Sequence, residues 1–440
     1  MKKLLVVLSI CFISLNLFSQ FVESKFDKYG GHLSLNAKKT GWFHVEKLNN
    51  RWYFVTPEGN GFFSLGATHS EECTYQDELN LFETKYNSSE ERLSEFFLSN
   101  FKKWGYNSSG YGVLPTMKKH IPYVVEVWTE APRSHSAGAS SKNHDIFDPK
   151  VQKKLKAVIQ EKVNENINNP YCLGYVMVDC PLWSVSPQNG MSYVDFMRSL
   201  PSNARGKKEY IKFIKKRYGK DIKRFISDYR ININTFTELN DTTVSKKITA
   251  KKNPVVAADD ELFLNIIAEA YFRFNTQTFK KLDPNHLLLG DRFMAATTQQ
   301  SNIRTPDIIL KTAAKYFDVL SFQPMGAQTM WKDYFNHVAE LTNMPILLAD
   351  VNTTYDRPKQ GQTDTQDFEE RMGSNMLSYY TNIIDCPALI GIHRCTVRDY
   401  RPWDTKFYRR GILKADDTPY PVLERKTIEA SKKVFEVVYP

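Results

Sequence analysis

Past its first 19 residues this sequence contains no long apolar run, so no membrane span of about 20 apolar residues is expected there. It has no glycine-rich phosphate loop, no HExxH helix, no pair of CxxC motifs and no G-x-S-x-G elbow. Those absences remove P-loop phosphoryl transfer, zincin-type hydrolysis, a zinc ribbon and α/β-hydrolase acyl transfer from the readings the chain supports. No cofactor and no metal centre are called for. Cysteine is scarce, at six in 440 residues. That is too few for a disulfide framework at this size, and one optional bridge is the most it allows. Basic residues outnumber acidic ones, 59 to 49. No nucleic-acid recognition motif or base-stacking interleave accompanies them, so nucleic acid is not an expected partner.

What is present is a long, globular composition, 42% hydrophobic and 13% aromatic, able to bury a large core. Residues 1–19 read as a signal peptide: Lys2 and Lys3, an apolar run from Leu4 to Leu17, then Phe18 and Ser19 before a cut at Gln20. The expectation is export to the periplasm or the medium without an anchor, since Ile10 before Cys11 does not suit a lipoprotein site. Losing Lys2 and Lys3 lowers the formal net charge from +10 to +8, an excess that suits an anionic partner. Five cysteines remain, an odd number that leaves at least one thiol free.

Residues 20–60 read as a small β extension. Stretches 41–45 and 51–55 are aromatic strands joined at Asn49-Asn50, and 57–61 makes the next turn. Residues 61–440 then alternate short apolar strands with helices. Strand one (62–69) ends on His69; a helix over 89–103 leads to strand two (105–107); strand three is 121–128. Strand four, the buried run Leu173 to Asp179, follows a helix over 150–168 closed by Asn169-Pro170. Residues 187–260 break the rhythm as a helical insertion. There 207–229 spaces Tyr210, Ile214, Tyr218, Ile222 and Phe225 for two short helices with a solvated basic face, and 240–254 reads as an exposed connector. A helix over 261–282 restores the alternation, with strands at 287–293, 318–323, 345–350 and 388–394. Eight strands separated by helices predict an α/β fold, the (β/α)8 TIM barrel.

Such a barrel carries its chemistry at the C-terminal ends of its strands. Those ends present His69, Asn107, Asp179, Asp291, Arg292, Gln323, Asp350, His393 and Arg394, with Trp128, Trp183 and Trp403 beside or just beyond them. Acids, imidazoles and guanidiniums on one rim suit general acid–base work on a polyol, and indole faces suit sugar rings. The alternative for each is structural: Asp291-Arg292 as an ion pair, His393 as a core histidine, Asp179 as a cap, the tryptophans as packing.

The segment from Arg51 to Gly66 resembles the entry segment of β-agarase-like glycoside hydrolases, TIM barrels of the large retaining clan. Asn169 to Tyr175, Leu289 to Arg292, Pro345 to Asp350 and Gly391 to His393 are similar to that family in the same order. The resemblance implies a carboxylate at the ends of strands four and seven. This chain departs there, with Asp179-Cys180 where the family has Asn-Glu, Asp350 where it has Glu, and Arg394 where an aromatic follows the histidine. Arg292, Arg394 and Arg398 are expected to hold a carboxylate or sulfate, with Asp179, Asp350, His69, His393 and Tyr355 as proton-transfer groups and Asn107, Gln323, Trp128 and Trp183 as substrate contacts. Among agarase-like relatives, the chain resembles the ulvan oligosaccharide dehydratases of marine Bacteroidetes, a reading that the basic balance, the signal segment and the lost glutamate fit. That resemblance implies β-elimination of water from a non-reducing-end uronic acid, on an acidic oligosaccharide. The alternatives are a β-agarase-type glycosidase using Asp179 and Asp350, and a glycan-binding barrel without catalysis.

Overall fold

The computed structural model describes residues 25–129, 131–134, 142–185, 191–250, 253–295, 304–324, 332–351, 366–401 and 410–440. Four antiparallel strands come first: β1 (His32–Asn36), β2 (His44–Leu48), β3 (Arg51–Val55) and β4 (Asn60–Phe62), in the order β1-β4-β3-β2. Asn49 and Asn50 both sit at positive φ, 48° and 64°, between the paired Leu48 and Arg51. That is the two-residue hairpin turn asparagine tolerates best among residues with a side chain.

Eight parallel strands then close on themselves: β5 (Ser64–Ala67), β6 (Ser108–Ser109), β7 (Tyr123–Glu126), β8 (Cys172–Asp179), β9 (Leu287–Ala295), β10 (Leu320–Pro324), β11 (Ile346–Val351) and β12 (Leu389–Arg394), with β12 pairing β5. The chain is the expected (β/α)8 barrel. Its helices start where their caps dictate. Ser89 accepts from the amide of Arg92 ahead of Glu90–Trp104, Asp148 from Lys150 ahead of Pro149–Asn166, and Asn253 from Val255 and Val256 ahead of Pro254–Leu282. Between β6 and β7 the described structure has a 3-10 turn, Pro115–Lys119, in place of an α-helix.

The barrel interior is a layer of Leu173, Val176, Leu287, Leu289, Val319, Leu347, Ala349 and Ile390, continuous with Phe43, Phe54 and Phe62 of the antiparallel sheet. The sheet thus plugs the N-terminal mouth, and each fully buried phenylalanine there contributes about 1.5–3 kcal/mol. Trp52 and Arg51 fasten it, donating to the carbonyls of Pro387 and Ile384. Function is left to the opposite mouth.

The insertion folds as Tyr193–Ser199, Arg205–Tyr218, Ile222–Tyr229 and Thr242–Ala250, with a 3-10 turn at Phe236–Asn240. The two short helices expected over 207–229 are present, and Lys208, Lys212, Lys215 and Lys216 face solvent. The expected connector over 240–254 is mostly helix, because Val244 and Ile248 find burial. Among the described residues no helix is long and apolar enough to cross a membrane.

Candidate active site at the C-terminal mouth of the barrel

Along a strand, side chains alternate between the barrel interior and the helical layer. Several strands reset that alternation just before the C-terminal mouth. On β9, Leu287 and Leu289 face inward, and Gly290 then takes φ 76° where the pairing with β8 slips by one residue. A β carbon on Gly290 would come within 2.7 Å of Phe317, so glycine is required on both steric and conformational grounds. The bulge turns Asp291 outward and Arg292 inward. Asp291 is fully buried, accepting from Trp183 Nε1 and the Tyr271 hydroxyl, each at 3.2 Å. Burial pushes its carboxyl up to about 7 against the pull of those two donors and Arg292.

Arg292 lies in the cup. Its Nη1 donates to Glu126 at 2.5 Å, its Nη2 stands 3.4 Å from Asp179 Oδ1, and the guanidinium rests 3.9 Å from the centre of the Tyr111 ring. Tyr111 in turn donates its hydroxyl to Asp350 Oδ2 at 2.7 Å. Gln323 Nε2 donates to the same oxygen at 3.1 Å, while Thr68 reaches Oδ1 at 3.3 Å. His69 completes the group, with Nε2 3.1 Å from the Tyr111 hydroxyl and 3.9 Å from Asp350 Oδ2, and Nδ1 2.8 Å from Glu72.

Burial alone would raise the Asp350 carboxyl. His69, Arg292 and the Tyr111 hydrogen bond outweigh it and hold the group down at about 2. Burial likewise opposes the His69 imidazolium, but bonds to Asp350, Cys395 and Glu72 raise it well above the ordinary histidine value. The cup therefore holds a stable carboxylate beside a cationic imidazole. His69, Cys180 and Thr396, one or two residues beyond their strand ends, adopt φ of 64°, 44° and 59°. Left-handed backbone without glycine is the kind of strain that clusters at working sites.

Of the residues expected from sequence, the mouth brings together His69, Asp179, Arg292, Gln323 and Asp350. Trp128 stands two residues beyond Glu126 and is 38% exposed. The others lie elsewhere. Asn107 precedes β6 rather than ending it, and its amide bridges the backbone of Phe63 and Leu65. Trp183 is 1% exposed, packed against Tyr193, Tyr271 and Phe272, so it is core and not a sugar platform.

His393 faces inward but is buried, Nε2 at 2.8 Å from the Ser64 hydroxyl, and burial lowers its imidazole to about 3. A neutral histidine so enclosed is a poor proton donor. Arg394 points the other way, outside the strand wall, to Met376 and the Arg410 carbonyl. Arg398 is held by Asp417, Asp77 and the Cys73 carbonyl. With Arg292 already compensated by Glu126 and Asp179, the expected three-arginine clamp does not form. Tyr355 and Trp403 lie outside the described residues.

Tyr111, Glu126 and Glu72 also belong to the site, though they are not among the residues expected from sequence. Tyr111 follows the true strand two, which begins three residues later than expected. Glu126 was legible as the one charge within Val124-Val125-Glu126-Val127. All five cysteines of the described residues are buried, and none is in a disulfide.

No protein-family model matches the chain. It is 22% identical to beta-agarase B of Vibrio sp. (strain JT0107), over 93% of this chain and 50% of that protein. To beta-agarase A of the same strain it is 21% identical, over 76% of this chain and 35% of that protein. The chain thus spans half or less of the length of these curated relatives. Among solved structures, an exo-beta-agarase superposes with a TM-score of 0.78 at 19% identity, over 94% of this chain and 68% of the other. A second agarase gives 0.74 at 18%, over 94% and 68%. These likenesses establish a shared fold.

Proposed function

We propose that this chain is a carbohydrate-active enzyme that hydrolyses a glycosidic bond in an agarose-type oligosaccharide. In this reading Asp350 is the nucleophilic carboxylate and Asp179 the second carboxyl. The observation that carries it is Asp350 itself, on β11 at the C-terminal mouth, held as an anion by Tyr111, His69 and Arg292. Retaining glycoside hydrolysis needs a carboxylate already ionised on one side of the bond and a second carboxyl across it. The agarase relatives support the substrate class. An apolar run after Lys2 and Lys3, which lies outside the described residues, supports export to where such a polymer is met.

The test is release of new reducing ends from agarose oligosaccharides. The wild-type chain is expected to release them, and Asp350→Asn, which removes the nucleophile, and Asp179→Asn, which removes the second carboxyl, to lose at least about a hundredfold in rate. Absence of new ends with the wild-type chain would overturn the reading.

One observation favours a second reading, β-elimination from a uronic acid. Tyr111 and His69 stand 3.1 Å apart as a phenol–imidazole pair able to pass a proton. Elimination also needs a cation over the uronate, and the compensated Arg292 is a weak candidate. Ultraviolet absorbance from an unsaturated uronate separates the outcomes. Absorbance without new reducing ends marks a dehydratase, absorbance with them a lyase, and new ends alone a hydrolase. Binding without any of the three would mark a glycan-binding barrel.

A further inference from the structure

The same mouth holds a mixed donor set that shares Asp350 with the hydrolytic reading and adds a thiol that hydrolysis does not use. A ring nitrogen of His69, a carboxylate oxygen of Asp350 and the Cys395 sulfur all lie within 4.8 Å of one another, and His69 Nε2 is 3.9 Å from Asp350 Oδ2. They come from the ends of β5, β11 and β12, so three separate barrel strands fix their spacing. We propose that these three side chains form a site for a thiophilic divalent cation of the Zn2+ class, and that filling it shuts the enzyme off by taking the Asp350 carboxylate. The shut-off half rests on the hydrolytic reading above; the binding half does not.

Tetrahedral zinc takes imidazole nitrogen and carboxylate oxygen at about 2.0–2.2 Å and thiolate sulfur at about 2.3 Å. Ligand atoms around it then stand roughly 3.3–3.8 Å apart, so this cluster would contract by about 1.5 Å at most. His69 is already oriented for the role. Its Nδ1 faces Glu72 Oε1 at 2.8 Å, the carboxylate–imidazole arrangement that fixes the tautomer and leaves Nε2 to the metal. Gln323 places its amide nitrogen 3.1 Å from Asp350 Oδ2, and the oxygen of the same amide is buried without a hydrogen-bond partner. That oxygen, or a water, suits the fourth position.

On binding, the Cys395 thiol releases its proton to solvent and forms the metal–sulfur bond, and His69 gives up its second proton to free Nε2. Mixed nitrogen, sulfur and oxygen donors favour Zn2+ or Co2+ over Mg2+ and Ca2+, which prefer oxygen alone.

The experiment titrates the chelator-treated full chain with Zn2+, and separately with Mg2+, by calorimetry. One Zn2+ is expected to bind saturably, with no comparable Mg2+ binding, and Cys395→Ser and His69→Gln should each weaken it at least tenfold. Co2+ should give a thiolate-to-metal absorption band in the near ultraviolet that Cys395→Ser abolishes; this reads the site directly should His69→Gln fold poorly. Hydrolysis by the wild-type chain should fall with Zn2+ occupancy and return with chelator. Zn2+ binding that neither substitution weakens marks surface histidines and overturns the proposal, as does a Co2+ complex without the band. Zn2+ binding by a chain that releases no reducing ends would sink the hydrolytic reading and leave the metal site standing.

Discussion

The Tyr111 hydroxyl donates to Asp350 at 2.7 Å while the face of the same ring carries the Arg292 guanidinium at 3.9 Å. One aromatic side chain thus couples the carboxylate of strand seven to the cation that also holds Glu126 and Asp179. Tyr111→Phe keeps the ring and its cation contact and removes only the hydroxyl. A buried hydrogen bond to a charged group contributes about 1.5–3 kcal/mol, so the variant should unfold earlier by that order in a urea titration. Asp350 should also ionise at higher pH, moving the acidic limb of the activity profile upward.

Arg292 is 1% exposed and faces two carboxylates. Removing one partner of a buried charge cluster costs about 3–5 kcal/mol. Arg292→Ala is expected to lose stability on that scale. Arg292→Lys should recover only part of it, because an ammonium can neither fork between Glu126 and Asp179 nor lie flat on Tyr111. Denaturant midpoints of the three proteins check this.

The two tryptophans near the mouth should separate cleanly. Trp183→Ala empties a core site and is expected to cost about 3–5 kcal/mol, with folding as the readout. Trp128→Ala, at an exposed position, should leave the melting temperature nearly unchanged and raise KM for the oligosaccharide.

Asp291 supplies a pH dependence of opposite sign to that of Asp350. Its carboxyl is raised to about 7 in the fold against about 3.9 in an unfolded chain. Between those values the native state holds the extra proton, so stability falls as pH rises from about 4 to about 7 and then levels. Asp350, depressed to about 2, adds stability above about pH 4 that is lost as pH falls toward about 2. Asp291→Asn should flatten the first slope. It should also abolish a fluorescence titration near neutral pH, because Trp183 donates to that carboxyl.

The β/α rhythm is legible because short continuous apolar runs and capped helices are local signals. Strand-end positions for Asp179 and Asp350 followed from it. Which way a side chain faces was not legible. Asp291 and Arg292 look equivalent in sequence, and a one-residue bulge at Gly290 sends one into the core and the other into the cup. Register shifts also occur on β11 and β12. There Asp350 enters the cup, while Arg394, a substrate clamp by sequence, ends up in the helical layer. Tyr111 is hidden by a boundary: the sequence pattern puts strand two over residues 105–107, and the strand is Ser108–Ser109.

The central claim is that Asp350 attacks the sugar. Intact-protein mass spectrometry after incubation with a 2-fluoro-glycosyl analogue of the agarose repeat, followed by peptide mapping, tests it most directly. The account predicts a mass increase of one glycosyl unit, mapped to Asp350 and absent in Asp350→Asn. An unlabelled Asp350 in a chain that turns over the unmodified substrate, or a label on another carboxylate, would contradict it.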